Sequence, residues 1–215
     1  MKSAKGRYRT KGLIENQSQP GSRGIVLRNA MGITSLRDME IVEGELLYRA
    51  YAESEHRYSR AHKFVEQDLC WLHRYWLGTI YKWAGQYRSV DLSKGGFRFA
   101  APRFIPSLMA NFSRDILGRL TPCKGMSKAT LAKSLAEVHV EFILIHPFRE
   151  GNGRVARLLA DLMVRQSGRP FLRYGRMQGS GFQVYISAIT AGLDRNYAPM
   201  TRLFSAMLAE NQKTS

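Results

Sequence analysis

One segment of the chain concentrates the residues that could do chemistry, and residues 146–157 read HPFREGNGRVAR. The segment contains a candidate general base, a carboxylate, glycines on either side of an asparagine, and arginines three residues apart. The apolar run FILI precedes it, and apolar residues at helical spacing follow it. Because Pro147 cannot continue the preceding helix, the segment is predicted to form a helix, a tight loop and a second helix.

The residue types of this loop suit the binding of an anion. Gly151 and Gly153 allow left-handed backbone angles and a close approach of the ligand. Their N–H groups lie at the start of the second helix, where the helix dipole favours negative charge. Asn152 can add a side-chain donor, and Arg154 and Arg157 can both reach phosphate oxygens from the first turns of that helix. The loop is therefore predicted to bind phosphate groups.

Two more side chains add catalytic chemistry to this predicted phosphate site. Glu150 is a hard oxygen ligand, suited to magnesium that is held jointly with phosphates. His146 can take a proton from an attacking hydroxyl near neutral pH. Together the residues predict phosphoryl or nucleotidyl transfer. The alternative is a structural helix–loop–helix with glycine caps and solvated arginines.

The loop resembles the motif of the Fic family, HxFx(D/E)GNGRxxR, and matches it at every constrained position. The resemblance implies one role for each motif residue. These roles are general base for His146, buried apolar anchor for Phe148, magnesium ligand for Glu150, anion hole for Gly151, Asn152 and Gly153, and outer-phosphate ligands for Arg154 and Arg157, with Arg157 at the γ-phosphate.

The same resemblance implies an activity. Fic proteins typically transfer AMP from ATP to a Ser, Thr or Tyr hydroxyl of another protein. The Doc-like branch has Lys where this chain has Gly153, and it binds the nucleotide reversed and transfers phosphate instead. Gly153 therefore favours AMP transfer.

A second segment, WAGQYRSVDLSKGGFRF over residues 83–99, resembles the family's β-hairpin flap. Two short β-prone stretches flank its Gly-Gly pair, which favours a hairpin turn. A hairpin with a free edge can bind an extended target segment by main-chain pairing, which would place a hydroxyl beside His146. The alternative is an ordinary surface hairpin. The residues predicted to dock the target are Ser93, Lys94, Gly95, Gly96 and Phe97.

The C-terminal part resembles the closing helices of the family, so the resemblance covers roughly residues 30–205. Tyr185 and Tyr197 are candidate walls of an adenine site. Aromatic residues at helical spacing also occur as plain core, which is the alternative for both. The residues that carry this resemblance are Tyr185, Ala188, Gly192, Asp194, Tyr197, Ala198, Pro199 and Leu203.

The predicted fold class is all-α, a Fic-fold helical bundle with a small β-hairpin flap. His73 and His139 lie on predicted helices among apolar residues and are interpreted as core histidines. A chain of 215 residues is expected to form one domain, assigned to residues 26–215. Helical patterns cover residues 38–58, 64–81, 105–117, 128–145, 154–166 and 181 onward.

The chain is strongly basic, with 33 Lys and Arg against 17 Asp and Glu and a formal net charge of +16. This charge is compatible with nucleic acid, an acidic protein or ATP as the partner. Residues 1–25 are basic and polar and are predicted to form a poorly ordered arm, either solvated or used for DNA or an acidic partner. No helix-turn-helix, RNA-recognition or zinc-finger pattern occurs, so nucleic acid is not the favoured partner.

The sequence also bears on location. No apolar run approaches about 18 residues, so no membrane span is expected. No apolar signal-peptide core follows the basic N-terminus. Cys70 and Cys123 form no CxxC pair and indicate neither a disulfide framework nor a zinc site. A reducing cytoplasm fits these features, and secretion or injection into a host cell is compatible with them.

The sequence offers two hypotheses for how the site is controlled. Many Fic proteins carry an inhibitory helix with the pattern (S/T)xxxE(G/N), whose Glu pairs with the second motif arginine. Glu43 and Glu210 are near misses, because Met39 and Ala206 stand at the Ser/Thr position. The favoured hypothesis is a bacterial toxin-like protein inhibited by a separate small antitoxin-like partner that supplies a Glu. The alternative is inhibition in cis by Glu43 or Glu210.

The sequence therefore predicts a protein adenylyltransferase that uses ATP and Mg²⁺. One alternative is the same fold with another phosphate-containing donor or with removal of AMP. The other is a basic, helical nucleic-acid-binding protein whose loop contacts phosphate without catalysis.

Overall fold

The computed structural model describes residues 13–94 and 97–210, and that part of the chain is a helical bundle. Two short strands, β1 (Ser93–Lys94) and β2 (Phe97–Arg98), pair antiparallel. The predicted all-α class with a small hairpin is therefore confirmed. The helices are α1 (Leu36–Arg57), α2 (Glu66–Leu77), α3 (Ile105–Asn111), α4 (Gly118–Leu120), α5 (Lys128–Ile145), α6 (Asn152–Gln166), α7 (Phe182–Ala191) and α8 (Ala198–Glu210), with a π-helical stretch, Phe112–Leu117, between α3 and α4.

Helix α5 is the centre of the bundle. It contacts α3, α6, α7 and α8, and it is buried along most of its length. A helix that is apolar on nearly all sides must lie inside the protein. Within the described ranges, neither α5 nor any other helix is long and apolar enough to cross a membrane. The central position of α5 gives the residue at its C-terminal end, His146, a rigid support.

Helix α6 follows α5 after a short loop and packs against α5, α2 and α1. The bounds of α5 are those predicted from the sequence, and α6 begins two residues before the predicted start. The helical pattern predicted from residue 181 onward forms two helices, α7 and α8. Arg195 takes a left-handed conformation (φ 54°) after α7, and Gly192 lies so near α5 that a Cβ there would be 2.1 Å from Val140 Cγ1.

Helices α1 and α2 pack against each other on the other side of the motif loop. Ser35 caps α1, since its hydroxyl accepts a hydrogen bond from the Asp38 N–H at 3.3 Å. The Asp68 carboxylate accepts a hydrogen bond from the Val65 N–H at the start of α2 (2.9 Å). Helix α2 is shorter at both ends than the predicted 64–81. Its His73 is fully buried, as predicted for a core histidine.

The segment before α1 lies against the domain where the structure describes it. Residues 1–12 of the predicted arm lie outside the described residues. From residue 13 onward the arm makes specific contacts: the Glu15 carboxylate accepts from the Ser89 N–H (2.9 Å), and the Glu15 carbonyl accepts from the buried Arg149 side chain (2.7 Å). Poor order was predicted from composition, but residues 13–25 supply an acceptor that the buried Arg149 needs.

Candidate active site

A cavity of about 300 Å³ lies where the α5–α6 loop, the flap and α7 meet. The flap contributes Ser93 and Phe97, and α7 contributes the aromatic and aliphatic side chains of its inner face. Segments far apart in the sequence therefore surround one cavity. The predicted loop residues that line it are His146, Glu150, Gly151, Asn152, Gly153, Arg154 and Arg157.

His146 ends α5 and is oriented from two sides. Its backbone is left-handed (φ 52°, ψ 59°), and its Nδ1 lies 3.2 Å from the Ile143 carbonyl oxygen. Because a carbonyl can only accept, Nδ1 carries the proton in the neutral ring, and Nε2 carries the lone pair. Phe99, which follows β2, stacks on the imidazole with ring centroids 3.8 Å apart. The neutral His146 ring is therefore oriented with its lone pair on Nε2.

The loop is closed by Asn152 and Phe148. The Asn152 amide accepts from the Phe148 N–H (2.9 Å) and donates to the Phe148 carbonyl (2.7 Å), and both side chains are buried. Phe148 thus lies where the resemblance implies, as a buried anchor. The Asn152 side chain braces the loop, in contrast to the predicted side-chain donor to an anion. The Asn152 and Gly153 N–H groups belong to the first turn of α6, which has no preceding helical carbonyls to accept from them.

The two loop glycines differ in their surroundings. Gly151 has a left-handed backbone (φ 82°), and a Cβ there would lie 2.7 Å from the Trp76 ring. Gly153 belongs to α6, and a Cβ there would meet nothing within 4 Å. Gly151 is therefore required by the fold, whereas Gly153 leaves space in the cavity.

His73 supports the loop from behind. Its Nδ1 accepts from the Gly85 N–H (2.7 Å), so Nε2 carries the proton and donates to the Glu150 carbonyl (3.0 Å). The ring stacks on Phe148 with centroids 4.0 Å apart. Burial lowers the pKa of His73 to about 3, which keeps the ring neutral. The sequence predicted its burial but not its hydrogen bond to the motif loop.

Arg88 joins the flap to the end of α5, and sequence reasoning missed this role. Its side chain is 2% exposed and donates to the carbonyls of His146 (2.7 Å), Val90 (2.7 Å) and Ala100 (2.6 Å). The Arg88 N–H donates to the Pro147 carbonyl (2.8 Å). A charged residue between polar neighbours looks solvated in a sequence, so local patterns gave no signal of its burial.

Glu150 is the acidic side chain of the cavity. It is 43% exposed, and its Oε1 accepts from the Gly151 N–H (3.0 Å). A single carboxylate beside a phosphate-binding loop is a donor set that Mg²⁺ uses together with phosphate oxygens and water. Within residues 13–94 and 97–210, no group of three or more His, Cys, Asp or Glu side chains could hold a metal ion. The donors therefore fit magnesium shared with a nucleotide, and they do not form a zinc site.

The structure separates the two adenine candidates. Tyr185 lines the cavity, and its hydroxyl lies 3.0 Å from Nε2 of the buried His139. Burial raises the pKa of Tyr185 to about 12, so its hydroxyl stays protonated. Tyr197 is not among the cavity residues, because its hydroxyl donates to Glu141 Oε1 (2.5 Å) on another face of α5.

Two of the residues predicted to dock the target lie at the cavity. Ser93 and Phe97 line the cavity, and Lys94 pairs with Phe97 through the hairpin register. Gly95 and Gly96 lie outside the described residues. The residues that the structure describes therefore put the flap beside His146, where the resemblance implies that a target would dock.

The two near-miss glutamates contact arginines other than Arg157. Glu43 pairs with Arg154, with 2.5 Å between Oε2 and Nη1, and Glu210 pairs with Arg176 (2.5 Å, Oε1 to Nε). Among the described residues, Arg157 has no carboxylate within ion-pair distance. The sequence did not predict the Glu43–Arg154 pair.

Comparisons with known proteins agree with this geometry. The model of the Fic/DOC family matches residues 63–164. A probable protein adenylyltransferase of Sinorhizobium fredii is 33% identical over 45% of this chain and 50% of its own length. Protein adenylyltransferase VbhT of Bartonella schoenbuchensis is 30% identical over 66% of this chain and 30% of its own length. The chain thus spans half or less of these curated relatives.

A solved structure shares the fold. The BepC protein of Bartonella tribocorum, a VirB-translocated effector crystallised with bound AMPPNP, superimposes with a TM-score of 0.71 at 20% identity. The match covers 90% of this chain and 96% of that one. The family model covers α2, the flap, α5 and nearly all of α6, and with them the whole of the motif loop. Residues 63–164 of the chain therefore form a domain of the Fic/DOC family.

Proposed function

We propose that this chain is a protein adenylyltransferase that moves AMP from ATP to a Ser, Thr or Tyr hydroxyl of another protein. The observation that carries the proposal is the oriented His146, with its lone pair on Nε2, in the same cavity as the anion-binding loop. The names of the Sinorhizobium and Bartonella relatives support it, as does the AMPPNP bound to BepC.

The proposed reaction moves a proton to His146 and develops negative charge on the phosphates. His146 Nε2 accepts the proton of the target hydroxyl while its oxygen bonds to the α-phosphorus of ATP. The α–β phosphoanhydride bond breaks, and pyrophosphate leaves with the electron pair. Glu150 would hold Mg²⁺ against the phosphates, where the ion offsets the charge of the leaving group. The N–H groups of Asn152 and Gly153, together with Arg157, bind the phosphate oxygens.

The remaining walls of the cavity suit the adenine of ATP and the target protein. Tyr185 and the aliphatic side chains of α7 offer an apolar surface for adenine. The flap, with Ser93 and Phe97 at the cavity, holds an extended target segment by main-chain hydrogen bonds. Gly153 keeps the space that a bulkier residue would fill, which favours the AMP-transfer orientation.

Inhibition in this proposal comes from a separate small protein, as in a toxin–antitoxin pair. Such a partner would supply a Glu to Arg157, at the place of the γ-phosphate. Two observations support this: the described residues give Arg157 no ion pair, and Glu43 and Glu210 are engaged elsewhere.

The test uses the full chain with Mg²⁺, a cell lysate as the source of targets, and ATP labelled at the α- or the γ-phosphate. Label from the α-phosphate alone should appear on protein. The transfer should be lost with His146→Ala, by about 10²–10⁴-fold, and kept with the control His56→Ala on the exposed face of α1.

Three outcomes would overturn the proposal. Transfer of the γ-label would move the chain to phosphate transfer. Transfer by His146→Ala at the wild-type rate would remove the base. Salt-dependent DNA binding without any transfer would favour the nucleic-acid-binding alternative.

A further inference from the structure

The ion pair between α1 and the first turn of α6 is buried at its carboxylate and partly exposed at its arginine. The Glu43 side chain is 6% exposed, and that of Arg154 is 27% exposed. Glu43 Oε2 lies 2.5 Å from Arg154 Nη1, and Glu43 Oε1 accepts from the Tyr81 hydroxyl at 3.1 Å. Both oxygens of the carboxylate are therefore engaged with side chains from outside α1.

Trp76 fixes the same corner. Its indole N–H donates to the Glu43 carbonyl (2.8 Å), and the Arg154 guanidinium carbon lies 4.4 Å from the centroid of its ring. The edge of this ring also lies where a Cβ of Gly151 would be. Trp76 thus packs at once against the helix that carries Glu43, against Arg154 and against the start of the anion loop.

This geometry decides what Arg154 can do. Moving its guanidinium onto a phosphate would leave Glu43 as a buried carboxylate without its cation, which is strongly unfavourable. The second terminal nitrogen of Arg154, Nη2, lies 3.7 Å from Glu150 Oε1, so Arg154 lies between two carboxylates. Arg157 lines the same cavity as Arg154, but it has no ion-pair partner among the described residues.

We propose that Arg154 is a positioning residue rather than a phosphate ligand, and that Glu43 holds it so that it orients Glu150 and the start of the anion loop. This inference rests on the proposed function for the role of Glu150 in holding the magnesium of the nucleotide. It also assigns to Glu43 a supporting role in activity, which is the reverse of inhibition in cis.

The first test is a double-mutant cycle on thermal unfolding, with Glu43→Gln, Arg154→Gln and the double variant, and with the exposed Glu45→Gln as control. Each single variant should lower Tm by about 5 °C or more, and the double variant should be no less stable than the worse single variant. Glu45→Gln should melt with the wild type. If the Tm losses of the two single variants add in the double variant, Glu43 and Arg154 do not stabilise the fold as a pair.

The second test measures the affinity for AMPPNP in excess chelator and in Mg²⁺. In chelator, Arg157→Gln should weaken binding by about 10-fold or more, while Glu43→Gln and Arg154→Gln should stay within about 3-fold of the wild type. In Mg²⁺, the latter two variants should lose most of the gain in affinity that the ion gives to the wild type. If Glu43→Gln does not fold, Glu43→Asp, which keeps the charge but shortens the reach, should show the same loss.

Two results would contradict the positioning role of Arg154 and Glu43. If Arg154→Gln weakens metal-free binding as much as Arg157→Gln, Arg154 is a phosphate ligand. If a Glu43 variant raises transfer activity, Glu43 is inhibitory and the proposal is wrong. The unfolding cycle does not depend on transfer, so a chain that fails to transfer AMP would refute the proposed function and leave the cycle to judge the pair.

Discussion

The substitution Gly151→Ala tests whether the motif glycines serve the fold or the ligand. At φ 82° an alanine is strained by about 1–2 kcal/mol. Its Cβ would lie 2.7 Å from Trp76 and 3.4 Å from Leu77, and overpacking of this kind costs about 1–3 kcal/mol. The expected loss in the free energy of unfolding is therefore about 2–5 kcal/mol, which lowers Tm by roughly 4–20 °C in a domain of this size.

The matched control is Gly153→Ala, two residues away on the same turn. A Cβ there meets nothing within 4 Å, so the unfolding free energy should stay within about 1 kcal/mol of the wild type. Because Gly153 lines the cavity, its methyl group should instead weaken AMPPNP binding by about 10-fold. Thermal unfolding and nucleotide titration of both variants separate the two effects. A Gly151→Ala protein that melts within about 1 °C of the wild type would refute the reasoning.

Three further predictions concern buried groups. Burial lowers the pKa of His139 to about 3, so the neutral ring contributes fully to stability above about pH 6.5, and this contribution is lost as the pH falls toward 3. In urea unfolding across this range, the unfolding free energy of His139→Gln should depend less on pH than that of the wild type. The exposed His56→Gln should keep the pH dependence of the wild type. Arg88→Met should lower the unfolding free energy by about 3 kcal/mol or more, because several carbonyls lose a charged donor, and a loss below about 1 kcal/mol in urea unfolding would count against it. Tyr185→Ala should weaken AMPPNP binding by about 10-fold while Tyr197→Ala leaves it unchanged, and the reverse order in a titration would show that the cavity wall is misassigned.

The sequence alone determined the features that are local in the chain. The motif is contiguous, so its residue types and order identify the phosphate loop without knowledge of the fold. The bounds of α5 could be predicted because Ser127 caps its start and Pro147 follows its end. The hairpin followed from two short β-prone stretches around a turn, and the burial of His73 followed from its apolar neighbours.

The tertiary structure decided which partner each polar side chain meets. Glu43 resembled an inhibitory residue in the sequence, yet the packing of α1 on α2 and α6 brings it to Arg154 instead of Arg157. Asn152 has the donor that an anion would use, but the loop itself takes both ends of its amide. Arg88 looked solvated in the sequence, and it is buried because carbonyls from the flap and from α5 converge on it.

The two tyrosines show why local sequence patterns could not predict these contacts. Tyr185 and Tyr197 have equal claims in the sequence, since helical spacing gives the periodicity of a face but not what that face packs against. The contacts of α7 with α5 turn Tyr185 to the cavity, while Tyr197, just before α8, meets Glu141. Local patterns fix backbone conformation, whereas burial and pairing of polar groups depend on segments far apart in the chain, which come together only when the bundle packs.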